Sequence, residues 1–308
     1  MIYVEKGGAE DRSLLRKILD FPLVTMAFAL AIAILCFTAG ILIASFLLPS
    51  IPGLDPTLKF DLVSILLLMI AYKFVISRMG LYPRDDYKDE KALRHMGIGL
   101  AAGFLVFSIA VGIAALLGVY RITGEGDFSD FLPALVGSAL FPAVSEELVF
   151  RGILFRWIEE FGGSWIALLT TSAFFGAVHL YNPNASLIAA VGIALEAGVM
   201  LGAAYMLTRS LWLPMGIHAA WNFTQGEIWD IPVSGLKVHG LVVARLTGAP
   251  LLTGNGFGLE ASLIAIPVAT LFGLCLLRLA IQRGQLVDPM WVRARQSSAR
   301  LNPAMESA

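Results

Sequence analysis

Charge is scarce in this chain: 15% of its 308 residues are Asp, Glu, Lys or Arg, against 57% hydrophobic, and the mean hydropathy is +0.78. Soluble domains carry about 25% charged residues, so the deficit points to a membrane protein. Neither sign is in excess. With 22 basic and 23 acidic residues and a net charge of −1, the chain lacks the basic surface that nucleic-acid binding needs. Cysteine is nearly absent. The two present, Cys36 and Cys275, lie in long apolar runs and read as packing residues rather than a disulfide or a metal pair. Internal repeats, low-complexity tracts and an HExxH stretch are also lacking. No small-residue cleavage site follows the mixed-charge opening "MIYVEKGGAEDRSLLRKILD", so the first apolar run reads as a retained membrane helix rather than a signal peptide.

What is abundant is apolar sequence in stretches long enough to span a bilayer, which takes about 20 residues of helix. Eight candidates emerge: 21–49, 59–78, 97–119, 130–157, 164–180, 185–208, 210–225 and 260–281. The first three and the last are nearly free of charge, whereas the fourth to seventh carry Glu, His, Asn or Arg. Polar interruptions of that kind surround a site rather than face lipid. Loop charges support the count through the positive-inside rule. The N-terminal segment (Lys6, Arg12, Arg16, Lys17), the second connection (Arg78, Arg84, Lys88, Lys91, Arg94) and the C-terminal tail (Arg283, Arg293, Arg295, Arg300) are rich in basic residues. The first connection has only Lys59, the third only Arg121, and the long seventh only Lys237 and Arg245. This alternation predicts an all-α membrane protein of about eight transmembrane helices with both termini cytoplasmic. Residues after about 285 read as a polar, disordered tail. Gly192, Gly198 and Gly202 in the sixth span suit close helix–helix contact.

A charge at mid-membrane costs at least about 2.5–3.5 kcal/mol, so each one needs a partner or a use. In "EELVFR" (146–151), Glu147 and Arg151 are i,i+4 on one helical face and can pair. Glu146 points about 100° away, with no sequence-local counter-ion. An isolated carboxylate in a low-dielectric site suits a general base, while Pro142 one turn earlier is expected to kink the helix. The same stretch also fits a buried charge network that only locks helices together. In "FGAVH" (175–179) the Phe175 ring can brace His179, and in "HAAWN" (218–222) His218 and Asn222 share a face as two groups able to stabilise an oxyanion. Each motif alone fits a hydrogen-bonded helix contact as well. Glu146, His179 and His218 would also serve as three zinc ligands with one open position. Glu196 in "GIALEAG" is either a further proton-handling group or, in the reading preferred here, sits protonated against a glycine-lined neighbour.

In this order and spacing, "EELVFR", "FGAVH" and "HAAWN" resemble the EExxxR, FxxxH and HxxxN/D motifs of the CPBP family. These are the CAAX-processing and bacteriocin-processing intramembrane endopeptidases, which include the Ras-converting prenyl-protein protease. The resemblance runs from about 135 to 225 and implies an eight-helix fold with the active site buried among helices 4–7. It also implies a catalytic core at 131–225, which in the hydropathy and charge pattern is preceded by a cytoplasmic segment (1–20) and three membrane helices (21–130). A long loop (226–259), a last helix (260–284) and the polar tail (285–308) follow. The resemblance assigns Glu146 and His179 to activating water, His218 and Asn222 to the oxyanion, and Glu147 and Arg151 to supporting the site. No cofactor is favoured, and zinc is the alternative. The expected activity is hydrolysis of a membrane-associated, lipidated or signal-type peptide in a bacterial cytoplasmic membrane. A non-proteolytic immunity or partner-binding protein, or an ion-coupled transporter, are the competing readings. If the N-terminus is cytoplasmic, the site lies at mid-depth or toward the outer leaflet.

Overall fold

The computed structural model describes residues 13–47, 55–127 and 131–301. Expectations for residues 1–12, for the end of the first span beyond 47, and for 302–308 lie outside the described residues. Among those described, six helical runs are long and apolar enough to cross a membrane: Pro22–Phe46, Pro56–Arg78, Ala92–Leu116, Phe131–Tyr181, Leu187–Thr208 and Ala265–Gln282. The first three are labelled α1, α2 and α3 below.

The fourth run spans 51 residues, too long for one crossing, and it breaks at Gly163. There φ is 84° and ψ 170°, a conformation that glycine alone adopts without strain, and a Cβ would lie 2.8 Å from the carbonyl oxygen of Val287. Residues 131–162 form α4 and residues 164–181 form α5. The fifth run, Leu187–Thr208, is α6, and the last, Ala265–Gln282, is α8. Between them α7, Trp212–Phe223, continues through a π-helical turn, Thr224–Ile228. It is helical and buried, though shorter than the other runs.

Two local expectations change. The region past 285 contains a helix, α9 (Met290–Leu301). The Trp291 ring packs edge-on against Phe161 at 5.8 Å, and Arg293 Nη2 donates to the Glu160 carbonyl at 2.5 Å. The polar sequence hides these anchors because they are single long-range contacts. The fold is not purely helical either. β1 (Tyr120–Glu125) pairs antiparallel with β2 (Val242–Leu246), drawn from the third and seventh connections. Strand pairing across more than 100 residues leaves no local signal.

Small residues set the helix packing. Cβ atoms placed on Gly192, Gly198 and Gly202 would each lie 2.7 Å from a neighbour: Ile266 on α8, and Ser172 and Leu168 on α5. The expectation of close contact for these three therefore holds. An unforeseen seam joins α3 to α7. A Cβ on Gly99 would meet the Leu213 carbonyl oxygen at 2.5 Å, and one on Gly103 would meet that of Ile217 at 2.3 Å. The Gly99-xxx-Gly103 spacing lets two backbones touch, and it docks the helix that carries His218 and Asn222. Gly103→Leu is expected to destabilise the fold by about 1–3 kcal/mol or more through overpacking. Gly112→Leu, on the same helix with open space around it, is expected to change little. Thermal unfolding of the two variants in detergent checks the pair.

Candidate active site

Helical geometry alone separates the two glutamates, and the structure gives each its own surroundings. Glu147 is fully buried. Its Oε1 accepts from Arg151 Nη1 at 2.9 Å, the i,i+4 pair read from the sequence. The same oxygen lies 2.9 Å from His218 Nδ1, a contact no local pattern announces. Arg151 is also buried. Its Nη2 donates to the carbonyls of Ala197 and Gly198 at 3.3 Å each, and its guanidinium lies 4.8 Å over the Phe175 ring. One carboxylate thus joins α4 to α7, and one guanidinium joins α4 to α5 and α6.

Glu146 points away from that knot. Its side chain is 33% exposed and lines a cavity of about 650 Å³. Oε2 is buried without a hydrogen-bond partner among the described residues and lies 3.9 Å from His218 Nε2. That separation is too long for a direct hydrogen bond and within the reach of a shared water.

The Phe175 ring organises both histidines. Its centroid lies 4.8 Å from that of His179 and 6.2 Å from that of His218, so it braces two imidazoles rather than the one foreseen. His179 ends α5, and its Nδ1 is 2.7 Å from the Phe175 carbonyl oxygen. An N–H facing a carbonyl must be the donor, which leaves Nε2 with its lone pair. By the same logic His218 Nδ1 donates to Glu147.

Asn222 is placed by a proline. Pro142 has no N–H, so the Ser138 carbonyl one turn earlier has no proline donor to bond. Asn222 Nδ2 donates to that oxygen at 3.0 Å. The helix is not broken at Pro142. A π-helical segment, Leu135–Leu140, runs directly into Phe141–Glu147 and absorbs the irregularity. Further π-helical turns fall at Leu148–Phe155, around Arg151, and at Ala194–Gly198, around Glu196. Such turns concentrate at functional sites because they re-aim side chains without ending the helix.

The structure therefore brings together all six residues singled out from the motifs. Glu146, His179, His218 and Asn222 line the cavity, while Glu147 and Arg151 lie behind it. Sequence reasoning missed other lining groups. Asp61 and Ser138 come from α2 and α4, and Glu227 from the π-helical turn that continues α7; Asn182, Ser234, Lys237 and His239 come from connections. Asp61 had a signal, a carboxylate within an apolar span that was read as nearly charge-free. The rest had none, because the loop after α7 folds back over the site. Asn182 Nδ2 donates to the Ser234 carbonyl at 3.1 Å, and Ser234 N donates to Glu260 Oε1. At the loop's base Asp230 accepts from the backbone of Gly240 and Ala244, at 3.2 and 2.7 Å. Glu196, 1% exposed, faces a small space beside His179, His218 and Asn222 that it shares with Glu260.

The proposed zinc ligands can be tested by their positions. Among the described residues no group of three or more His, Cys, Asp or Glu side chains is placed to hold a metal ion. His218 Nε2 lies 3.9 Å from Glu146 Oε2, and no step is derived through zinc. Cys36 and Cys275 are both free; Cys36 is partly buried, whereas Cys275 is exposed and so does not fit its reading as a packing residue.

No curated protein and no solved structure matches the chain. Residues 128–224 match the family model described as type II CAAX prenyl endopeptidase, Rce1-like. That stretch contains all three motifs and supplies α4, α5 and α7, which carry Glu146, His179, His218 and Asn222 to the cavity. Over this core the chain matches the family of Rce1-like, type II CAAX prenyl endopeptidases, and its apolar helices are those of an integral multi-pass membrane protein.

Proposed function

We propose that the chain is an intramembrane endopeptidase of the glutamate type, hydrolysing a peptide bond of a membrane-associated, lipidated or signal-type substrate. The observation that carries this reading is the divergence of two adjacent acids. Glu147 is committed to Arg151 and His218, whereas Glu146 faces the cavity with one oxygen beside His218 Nε2. A water between them loses a proton to Glu146 as its oxygen adds to the scissile carbonyl carbon, and His179 Nε2 orients that water through its lone pair. Negative charge develops on the former carbonyl oxygen. His218 Nε2–H and the Asn222 amide hydrogen not used on Ser138 are the donors for it. For His218 to donate from both nitrogens it must be an imidazolium, and Glu146, Glu147, Arg151 and His218 then sum to zero charge. Glu146 returns its proton to the leaving nitrogen, the C–N bond breaks, and the other product is a carboxylic acid.

Cutting the fourth run at Gly163 and counting α7 as a crossing gives eight spans with both termini on one side. With the basic loops cytoplasmic, the site falls at mid-depth or toward the outer leaflet of a bacterial inner membrane. The cavity wall formed by Phe60, Pro133, Ala134 and Phe141 is apolar and suits a substrate held in the bilayer. Cleavage of a peptide library by the purified protein, read by mass spectrometry with and without a strong chelator, tests the mechanism. Undiminished cleavage in chelator is expected. Loss that zinc restores would establish the metal-dependent route, and no cleavage under either condition would favour a non-proteolytic immunity or partner-binding role.

A further inference from the structure

Asp61 is an acid that the reaction above does not use. It belongs to α2, is 4% exposed, and lines the same cavity as Glu146. Capping does not explain it, because Asp55 is the N-cap of this helix and accepts from Thr57 N and Leu58 N at 2.7 and 3.3 Å. Pairing does not explain it either. No hydrogen bond or ion pair of Asp61 occurs among the described residues. Lys59, two positions earlier, lies about 200° around the helix. Lys237, also on the cavity wall, makes no ion pair with Asp61 among the described residues. A charge kept in an apolar span without a partner marks a functional position.

Its surroundings indicate what it would meet. A Cβ on Gly137 would lie 3.2 Å from Asp61 Oδ2, so the carboxylate rests against the bare backbone of the π-helical segment Leu135–Leu140. The next residue, Ser138, holds Asn222 through its carbonyl. Asp61 is therefore linked to an oxyanion donor by the run Asp61–Gly137–Ser138–Asn222, close to where a scissile bond would lie. Thr57, Phe60 and Phe141 line the same cavity, offering apolar contact to a long methylene stem whose tip the Asp61 carboxylate would meet.

We propose that Asp61 forms a substrate subsite for a cationic side chain, Lys or Arg, near the cleaved bond. The assignment rests on the peptidase reading and adds the charge class of the peptide to it. A desolvated charge pair discriminates against a neutral isostere by about 10- to 100-fold.

The test uses the full chain in detergent and dye-labelled peptides that carry lysine, or its isostere norleucine, at each position in turn. Binding is read by fluorescence anisotropy, and cleavage is measured separately. Wild type is expected to bind one lysine peptide at least about 10-fold more tightly than its norleucine counterpart. Asp61→Asn should abolish that ratio while leaving the norleucine affinity unchanged. Gly137→Ala, which crowds the carboxylate without removing it, should reduce the ratio. Equal affinity for both peptides in wild type, absence of binding, or a ratio that survives Asp61→Asn would each overturn the assignment. A ratio that obeys Asp61 without cleavage of any peptide would uphold the subsite and reject the peptidase reading.

Discussion

Glu146→Ala is expected to lower the rate of peptide cleavage by about 10²–10⁴-fold, the range that removing a general base removes. Its thermal unfolding should remain within about 0.5 kcal/mol of wild type, as for a partly exposed side chain outside a network. The asymmetry follows from placement. The side chain is 33% exposed to the cavity, and its nearest basic partner is 3.9 Å away, so folding leans little on it. Cleavage rates and unfolding midpoints measured on the same preparation check both halves. Turnover comparable to wild type would remove Glu146 from the mechanism and reopen the non-enzymatic reading. Glu146→Gln, which keeps shape but cannot accept the proton, should retain substrate without cutting it and so allow the substrate to be captured.

Glu147→Ala should have the opposite signature. Glu147 Oε1 holds Arg151 and His218 at 2.9 Å each, and Arg151 is fully buried against Phe175 and the carbonyls of Ala197 and Gly198. Truncating the carboxylate leaves a buried guanidinium without its anion, a loss of about 3–5 kcal/mol. The expected result is a marked fall in unfolding temperature, with poor recovery of folded protein in detergent. Activity should fall as well, because His218 loses the acceptor that orients its ring. Glu147→Gln keeps one acceptor oxygen and should sit between the two in stability. A Glu147→Ala protein as stable as wild type would show that the Arg151 pair and the helix contacts it carries do not hold the core.

Much of the molecule is legible from composition and period. Apolar runs of about 20 residues announce membrane helices because backbone groups in hydrocarbon must bond within their own segment. The i,i+4 pairing of Glu147 with Arg151 and the bracing of His179 by Phe175 are local geometry, and both occur. The close approaches at Gly192, Gly198 and Gly202 are foreseeable for the same reason. The Gly99–Gly103 seam was equally local in spacing, yet its partner helix could not be named from spacing alone.

Three features needed the folded chain. Asn222 depends on the absence of a proline N–H 80 residues earlier, since Pro142 leaves the Ser138 carbonyl to be satisfied from another helix. His218 depends on Glu147, across 71 residues. The cavity's far wall depends on a loop tied down by Asn182, Asp230 and Glu260 and on Asp61 from a helix read as nearly free of charge. By itself the sequence determined where long apolar helices form and which charges share a helical face, because both follow from repeats of one turn or one bilayer thickness. Only the tertiary structure decided that the locked acid, Glu147, also holds His218, and that Glu146 faces a cavity walled by α2 and the loop after α7. Those contacts are made by side chains meeting between helices, where close backbone approach at glycine sets the distances and the Ser138 carbonyl accepts from Asn222.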